Sequence, residues 1–185
     1  MDIDEMELNV VYEEKVYLFT EELDFNYITE KFGAIYDGDT KIGTISFSII
    51  HLGQATDNGY DSYDSFEIFD NHSDYLSRVG FLIYEHEMIL DEYSIDKFQY
   101  DVIVIDSIFI EEEYRGNDIS VLVLKDILFR YRDAVSYFVI QAFPLDCKDL
   151  TNSVIKKIQT KLIKQYKKAG FKNIKGIDKQ YLFSL

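Results

Sequence analysis

The chain has 185 residues, of which 47% are hydrophobic and 29% are charged, and its net charge is −15. This balance excludes a disordered chain, and no apolar run reaches the roughly 18 residues that a membrane-spanning helix needs. The acidity also argues against a general nucleic-acid-binding surface, which requires a basic face. At this length we expect one domain over residues 1–185.

The first residues and the single cysteine favour a cytoplasmic protein. Asp2, Asp4, Glu5 and Glu7 replace the positive start that a signal peptide requires. Cys147 has no second cysteine with which to form an internal disulfide, which suits a reducing compartment. Because it lacks a CxxC partner and a nearby histidine, we expect Cys147 to be inert.

The first elements along the chain are predicted to be strands. Val16 to Phe19 reads as one strand. Phe32 to Tyr36 and Ile42 to Leu52 flank the turn Asp37-Gly38-Asp39, which predicts a hairpin because Gly accepts a positive φ without steric cost.

An acidic insertion and a helix follow, at about 53–98. Six acids and no Lys or Arg lie between Gly53 and Ser77, namely Asp57, Asp61, Asp64, Glu67, Asp70 and Asp74. Their spacing is not that of a calcium loop, so we expect no metal site. Two interpretations remain open: a loop that attracts a cationic amine, and a solvated loop. Ser73 or Asp74 is predicted to cap a helix from about 74 to 88.

The second half alternates between strands and helices. Val102 to Ile110 is an apolar, β-branched run that predicts a buried strand, which Asp106 interrupts. A polar turn over Glu111 to Gly116 leads to a helix of about 14 residues from Ile119. Then come a strand at Tyr137 to Ala142, a lysine-rich helix over Val154 to Tyr166 that ends at Gly170, and a strand at Tyr181 to Phe183. This order predicts an α/β fold with a mixed sheet of about six or seven strands.

The junction after Ile110 is a candidate anion site. The first amides of a helix lack internal partners, and the helix dipole adds partial positive charge there. Gly116 would let a phosphate approach the main chain. Many such strand–helix junctions bind no ligand, so this pattern alone leaves both interpretations open.

Two motifs resemble those of the GCN5-related N-acetyltransferase (GNAT) family. Ile-Glu-Glu-Glu-Tyr-Arg-Gly-Asn-Asp-Ile-Ser, residues 110–120, resembles its acetyl-CoA loop, and Tyr166-x-x-x-Gly170-Phe171 is similar to its second motif. The resemblance covers roughly residues 100–185. It implies an acyl-CoA N-acyltransferase-like domain with a mostly antiparallel sheet flanked by helices, and acetyl-CoA as co-substrate without a metal. The implied acetyl-CoA-binding residues are Ile108, Phe109, Ile110, Arg115, Gly116, Asn117, Asp118, Ile119 and Ser120.

The resemblance also implies a mechanism, in which an amine attacks the thioester carbonyl directly. Asp106 matches the position of the family's base, acting directly or through water, and Tyr166 matches the tyrosine that protonates the departing thiolate. Each has a structural alternative. Asp106 could be a strand carboxylate that binds a neighbouring group, and Tyr166 lies on an apolar stripe that core packing alone would explain.

Three departures from the family pattern keep a second function open. Glu113 stands where Gln or Arg is usual, Asp118 replaces a small residue and Ser120 replaces a Gly. Asn117 or Asp118 could cap the helix, whereas an uncompensated carboxylate would repel pyrophosphate. The leading hypothesis is acetyl transfer to a small-molecule or peptide amine, with a cationic amine as one candidate. The alternative is an inactive acetyltransferase-fold protein that serves as an interaction module.

Other partners receive less support from the sequence. The segment from Lys148 to Leu185 holds ten lysines and two acids, but the acidic remainder argues against nucleic acid. No membrane partner is expected. Fifteen Tyr and 14 Phe are compatible with an aromatic patch and a homodimer, but no pattern locates such a patch.

Overall fold

The computed structural model describes residues 5–16, 26–86, 101–144 and 150–184. Their elements in chain order are β1 (Leu8–Val16), β2 (Ile28–Asp37), β3 (Thr40–Ile50), α1 (Leu52–Asp57), α2 (Ser62–Asp70), α3 (Asp74–Glu85), β4 (Asp101–Ile110), α4 (Ile119–Tyr131), β5 (Val135–Gln141), α5 (Asn152–Ala169) and β6 (Tyr181–Ser184). A single 3₁₀ turn at Glu112–Tyr114 joins β4 to α4.

The six strands form one sheet in the order β1-β2-β3-β4-β5-β6. All neighbours are antiparallel except β4 and β5, which are parallel and are connected through α4. A parallel pair needs such a crossover connection, whereas antiparallel strands can be joined by tight turns. The predicted α/β class with a mixed, mostly antiparallel sheet flanked by helices is confirmed.

Helices cover both faces of the sheet because successive side chains of a strand point to opposite sides. On one side, Val102 and Val104 of β4 pack in a core with residues of α1, α2 and α3. On the other side, Ile103 and Ile105 pack in a core with residues of α4 and α5. We call these two sides the α1–α3 face and the α4–α5 face.

The predicted hairpin is confirmed, with Gly38 at a φ of 55° in the turn between β2 and β3. The prediction that the second strand reaches Leu52 was wrong, since β3 ends at Ile50 and Leu52 begins α1. Of the strand predicted at Val16 to Phe19, only Val16 lies within the described residues, and it ends a strand that begins eight residues earlier.

The interpretation of the acidic insertion as a loop was wrong, because α1 and α2 occupy most of it. Asp61 caps α2 by accepting hydrogen bonds from the amides of Tyr63 and Asp64, and the Asp64 carboxylate accepts from the Asp61 amide. Acids at helix N-termini satisfy free amides and complement the helix dipole. Part of the negative charge therefore has a local structural role.

The elements predicted around and after this insertion are confirmed. Ser73 caps α3 by accepting from the Leu76 amide, and residues 87–88 of the predicted helix lie outside the described residues. Gly170 ends α5 with a left-handed φ of 119°.

Cys147 lies outside the described residues. Within the described part of the chain, no helix is both long and apolar enough to cross a bilayer.

Gly80 of α3 is predicted to be required for the close contact between α2 and α3. A Cβ atom there would lie 2.5 Å from Cβ of Phe69. Gly80→Ala should therefore lower the free energy of unfolding by about 1–2 kcal/mol, because overpacking outweighs the gain in helix propensity. Chemical denaturation measures this change, with Glu85→Ala on the exposed end of α3 as control. Unchanged or increased stability would contradict the close contact.

Candidate functional site

A β-bulge in β4 places Asp106 at the centre of the candidate site. Ser46 of β3 pairs with Ser107, and the next residue, Phe47, pairs with Ile105. Asp106 is therefore the extra residue, without a partner of its own in β3. Bulges bend a strand and change the direction of a side chain, and they are common beside active sites.

β4 and β5 part immediately at this bulge. Their parallel pairing ends at Ile105 and Ile140, but β4 continues to Ile110. The gap forms a cleft of about 560 Å³ between the end of β4, the end of β5 and helix α5. Asp106 and Tyr166 both line this cleft, so the structure brings the two predicted catalytic residues together.

Asp106 lies in surroundings that favour its neutral form. The Ser48 hydroxyl donates to Oδ2 of Asp106 at 3.1 Å, and the Ser48 side chain is buried. Burial raises the pKa of Asp106 to about 7; the Ser48 hydrogen bond limits the rise, and the charge of Glu30 adds to it. A carboxyl group with this pKa changes between acid and base near neutral pH, which suits proton transfer.

Tyr166 reaches the cleft from α5, on the α4–α5 face. The residue is 5% exposed, and burial raises the pKa of its hydroxyl to about 12, so the group stays protonated at neutral pH. Its ring lies 6.5 Å from that of Phe171. The hydroxyl has no hydrogen-bond partner among the described residues, and it can therefore donate to a ligand in the cleft.

Tyr75 of α3 approaches the same point from the α1–α3 face. Its hydroxyl donates to the carbonyl of Ile105 at 3.0 Å, at the last paired residue of β4 before the strands part. Burial and the nearby Asp106 carboxylate raise the pKa of this hydroxyl, whereas a hydrogen bond with the main chain of Gln141 opposes the rise. Tyr75 thus contacts both strands where the cleft begins.

The turn after β4 presents five consecutive unpaired amides, those of residues 116–120. Within the described part of the chain, these N–H groups donate no hydrogen bond, and the first helical bonds come from Val121 and Leu122 to the Asp118 carbonyl. Gly116 has a φ of 92° and Asp118 a φ of 54°. Such alternating backbone conformations make concave sites that bind anions.

Asp118, one of the two residues suggested as a cap, lies at the start of α4 but does not cap it with its side chain. Asp118 occupies the N-cap position, but its side chain accepts no capping hydrogen bond. Its carboxylate instead accepts from Nζ of Lys168 at 2.9 and 3.0 Å and from Nε2 of Gln165 at 3.0 Å. These hydrogen bonds hold the pKa of Asp118 below its ordinary value. The carboxylate beside the free amides is therefore compensated by α5.

Of the predicted cofactor-binding residues, those of β4 and Arg115 line the cleft, namely Ile108, Phe109, Ile110 and Arg115. Arg115 donates through Nε to the Ile110 carbonyl at 2.8 Å, and its guanidinium lies 5.5 Å from the centre of the Phe109 ring. Gly116, Asn117, Asp118, Ile119 and Ser120 do not line the cleft but follow directly beyond Arg115. Glu113 is exposed.

None of the described acidic residues of α1, α2 and α3 lines this cleft, although Tyr75 of α3 contacts the Ile105 carbonyl at its end. α1 begins after Ile50, which pairs with Val102 at the opposite end of β4 from the bulge. Asp61 and Asp64 are engaged in the cap of α2. Within the described ranges, no cluster of His, Cys, Asp and Glu could hold a metal ion.

Sequence reasoning missed Ser48 and Tyr75. Ser48 is one polar residue within a strand, and Tyr75 lies on the apolar stripe of α3, so neither carries a signal that separates it from core residues. His51 is held by Asp101 at 2.7 Å and by Thr29 at 2.9 Å, and it does not line the cleft.

Comparisons with known proteins give limited similarity. The sequence matches no protein-family profile, and it matches no curated protein. A serine-to-alanine mutant of an agmatine N-acetyltransferase, in its apo form, is similar in structure, with a TM-score of 0.47 and 6% identity over 82% of this chain and 72% of that chain. A mosquito arylalkylamine N-acetyltransferase like 5b has a TM-score of 0.42 and 9% identity over 82% of this chain and 71% of that chain. Similarity at this level carries no information on activity or substrate.

Asp106→Asn is expected to stabilise the protein at about pH 8 but not at about pH 4. The pKa of Asp106 is about 7 in the folded protein against an ordinary value of 3.8. The unfolded chain therefore releases this proton at lower pH, and the contribution of Asp106 to stability decreases as pH rises between these values. Asn does not ionise. Thermal unfolding at both pH values measures the difference, with exposed Asp133→Asn as control, and an equal shift at both would contradict the raised pKa.

Lys168→Ala is expected to weaken the binding of inorganic pyrophosphate about two- to fivefold, the range typical of an exposed ion pair. The substitution leaves the Asp118 carboxylate unpaired beside the free amides. Adding Asp118→Asn should restore the affinity. Calorimetry at low and high salt measures both effects, with Lys157→Ala on the exposed side of α5 as control. Equal weakening by both lysine variants would show that only overall charge matters.

Proposed function

We propose that the protein is an acetyl-CoA-dependent N-acetyltransferase that acts on a primary amine by direct attack. The observation that carries this proposal is the cleft between β4 and β5, which both Asp106 and Tyr166 line. The unpaired amides of residues 116–120 lie just beyond its Arg115 side. The resemblance of residues 110–120 to an acetyl-CoA loop supports the same function.

The cleft and its neighbouring turn suit the parts of acetyl-CoA. The free amides can bind the pyrophosphate, since N–H groups at a helix start favour negative charge. Between Asp106 and Ile110, β4 has no pairing with β5. The main-chain groups on that side can therefore bind the amides of the pantetheine arm as a strand partner would. This arrangement would place the thioester near Asp106 and Tyr166.

The chemistry needs no covalent enzyme intermediate. The amine nitrogen attacks the thioester carbonyl, a C–N bond forms and the C–S bond breaks. Asp106, ionised above its pKa of about 7, accepts the proton that the amine loses, directly or through water. Tyr166 donates a hydrogen bond to the departing sulfur and then transfers its hydroxyl proton to the thiolate, and the tyrosine regains a proton from water.

The alternative, an inactive interaction module, rests on the departures at Glu113, Asp118 and Ser120. The Lys168 ion pair weakens the case from Asp118, because the charge of that carboxylate is compensated. A module of this kind would retain ligand binding or the fold without turnover. Binding and turnover must therefore be measured separately.

Acetyl-CoA is expected to bind with micromolar affinity in a calorimetric titration, and ATP more weakly. Turnover is measured by thiol release with a panel of amines. Asp106→Asn should lower kcat at least about 100-fold because it removes the base. Tyr166→Phe should lower kcat about tenfold because it removes a hydrogen-bond donor. Neither should change acetyl-CoA affinity more than a few-fold.

Exposed Tyr84→Phe serves as the control and should leave both quantities unchanged. Absence of acetyl-CoA binding at millimolar ligand would reject the transferase function. Binding without turnover on any amine would favour the interaction module.

A further inference from the structure

Part of the α1–α3 face of the sheet forms an open groove of about 500 Å³. The register of β1 to β4 arranges its residues in two rows across the strands. One row consists of Glu13, Phe32, Ser46 and Ser107; the next consists of Val11, Ala34 and Thr44 and meets Phe109 of the adjoining cleft on β4. Residues directly opposite in paired strands share a face, so each row is continuous.

Helices α1 to α3 leave this groove open because they pack over the other end of the sheet. Their core contains Ile28, Ile50 and Val102. Among the residues that line the groove, Val11 is 56% and Phe32 45% exposed, and Phe109 of the adjoining cleft is 37% exposed. Large apolar side chains exposed together on one face usually mark a binding surface.

The groove continues into the cleft between β4 and β5. Ser107 lines both, and Asp106 lines the cleft one residue before it. The hydrogen bond from Ser48 shows that the Asp106 carboxylate lies on the α1–α3 face, the same face as the groove. The groove therefore ends at the group that our proposed function uses as a base, whereas Tyr166 approaches from the other face.

The middle of the groove is uncharged: it combines apolar side chains on β2 with the hydroxyls of Thr44, Ser46 and Ser107, of which the two serines hydrogen-bond to each other at 2.8 Å. Glu13 and Lys41 both line it, with opposite charges. Between them lie the side chains of Phe32, Ala34 and Tyr36. From β4 to β2 the groove crosses two strand spacings, about 10 Å. A ring on a short carbon chain fills such a span when its amine lies at Asp106.

We propose that this groove binds the acceptor and that the acceptor is a primary amine with an apolar, preferably aromatic, body. The inference rests on the proposed function and names its substrate class. The ammonium approaches the Asp106 carboxylate, and the body lies over Ala34 and against Phe32. The acceptor and acetyl-CoA thus meet at the bulge from opposite faces of the sheet.

The test uses Ala34→Trp, which fills the groove without touching the cleft. Trp is well tolerated in half-exposed strand positions, so folding should be retained, and circular dichroism and thermal unfolding check this. The control is Glu14→Trp, which places the same side chain on β1 at the opposite face. The affinity of all three proteins for acetyl-CoA is measured first, because absence of binding to the unmodified protein would reject the proposed function itself.

With acetyl-CoA bound, the unmodified protein is expected to acetylate 2-phenylethylamine with a kcat/KM at least about tenfold above that for putrescine. Ala34→Trp should raise KM for 2-phenylethylamine about tenfold or more, and Glu14→Trp should leave it unchanged. Calorimetry of the same amine with coenzyme A-loaded protein should show the same loss for Ala34→Trp alone.

Three outcomes would overturn the inference while leaving acetyl transfer intact. The first is a preference for putrescine. The second is an unchanged KM in Ala34→Trp. The third is a dimer in light scattering that Ala34→Trp dissociates, which would show that a second copy of the chain occupies the groove.

Discussion

The separation of β4 from β5 after Ile105 is the constraint on which the rest of the site depends. A buried strand with one unpaired edge is costly, because its N–H and C=O groups lose water without gaining partners. Here the bulge at Asp106 and the Tyr75 hydroxyl on the Ile105 carbonyl lie at the point where pairing stops. α5 forms the opposite wall, so the unpaired edge faces a cleft of ligand size.

In the turn between β4 and α4, Asp118 replaces the small residue of the acetyl-CoA loop pattern but keeps the backbone conformation that the turn requires. Asp118 has a left-handed φ of 54°, which Gly adopts most readily and Asp adopts better than most residues. The carboxylate that comes with this choice binds Lys168 and Gln165 of α5. Lys168, which compensates the charge of this carboxylate, therefore lies 50 residues away along the chain.

The sequence predicted the helices and strands, which have local signals, but not the contacts between residues that lie far apart along the chain. β4, α4, β5 and α5 followed from local signals, namely β-branched runs, four-residue spacing and Gly170. The pairing of Asp118 with Lys168 and the convergence of Ser48 and Tyr75 on Asp106 depend on tertiary packing, which no local pattern records. The acids of residues 53–77 indicated a loop, whereas Asp61 and Asp64 stabilise the start of a helix.

The two sides of the sheet also differ in charge, and this difference bears on how an acidic protein could bind an anionic cofactor. α5 carries six lysines and no acid, whereas residues 52–86 on the α1–α3 side carry seven acids and one arginine. The summed field of charges of one sign on a surface raises the local concentration of ligands of the opposite sign. An anionic ligand is thus favoured on the α4–α5 face and a cationic one on the α1–α3 face. Because the two faces communicate at the Asp106 bulge, oppositely charged reactants would meet there without competing for the same approach.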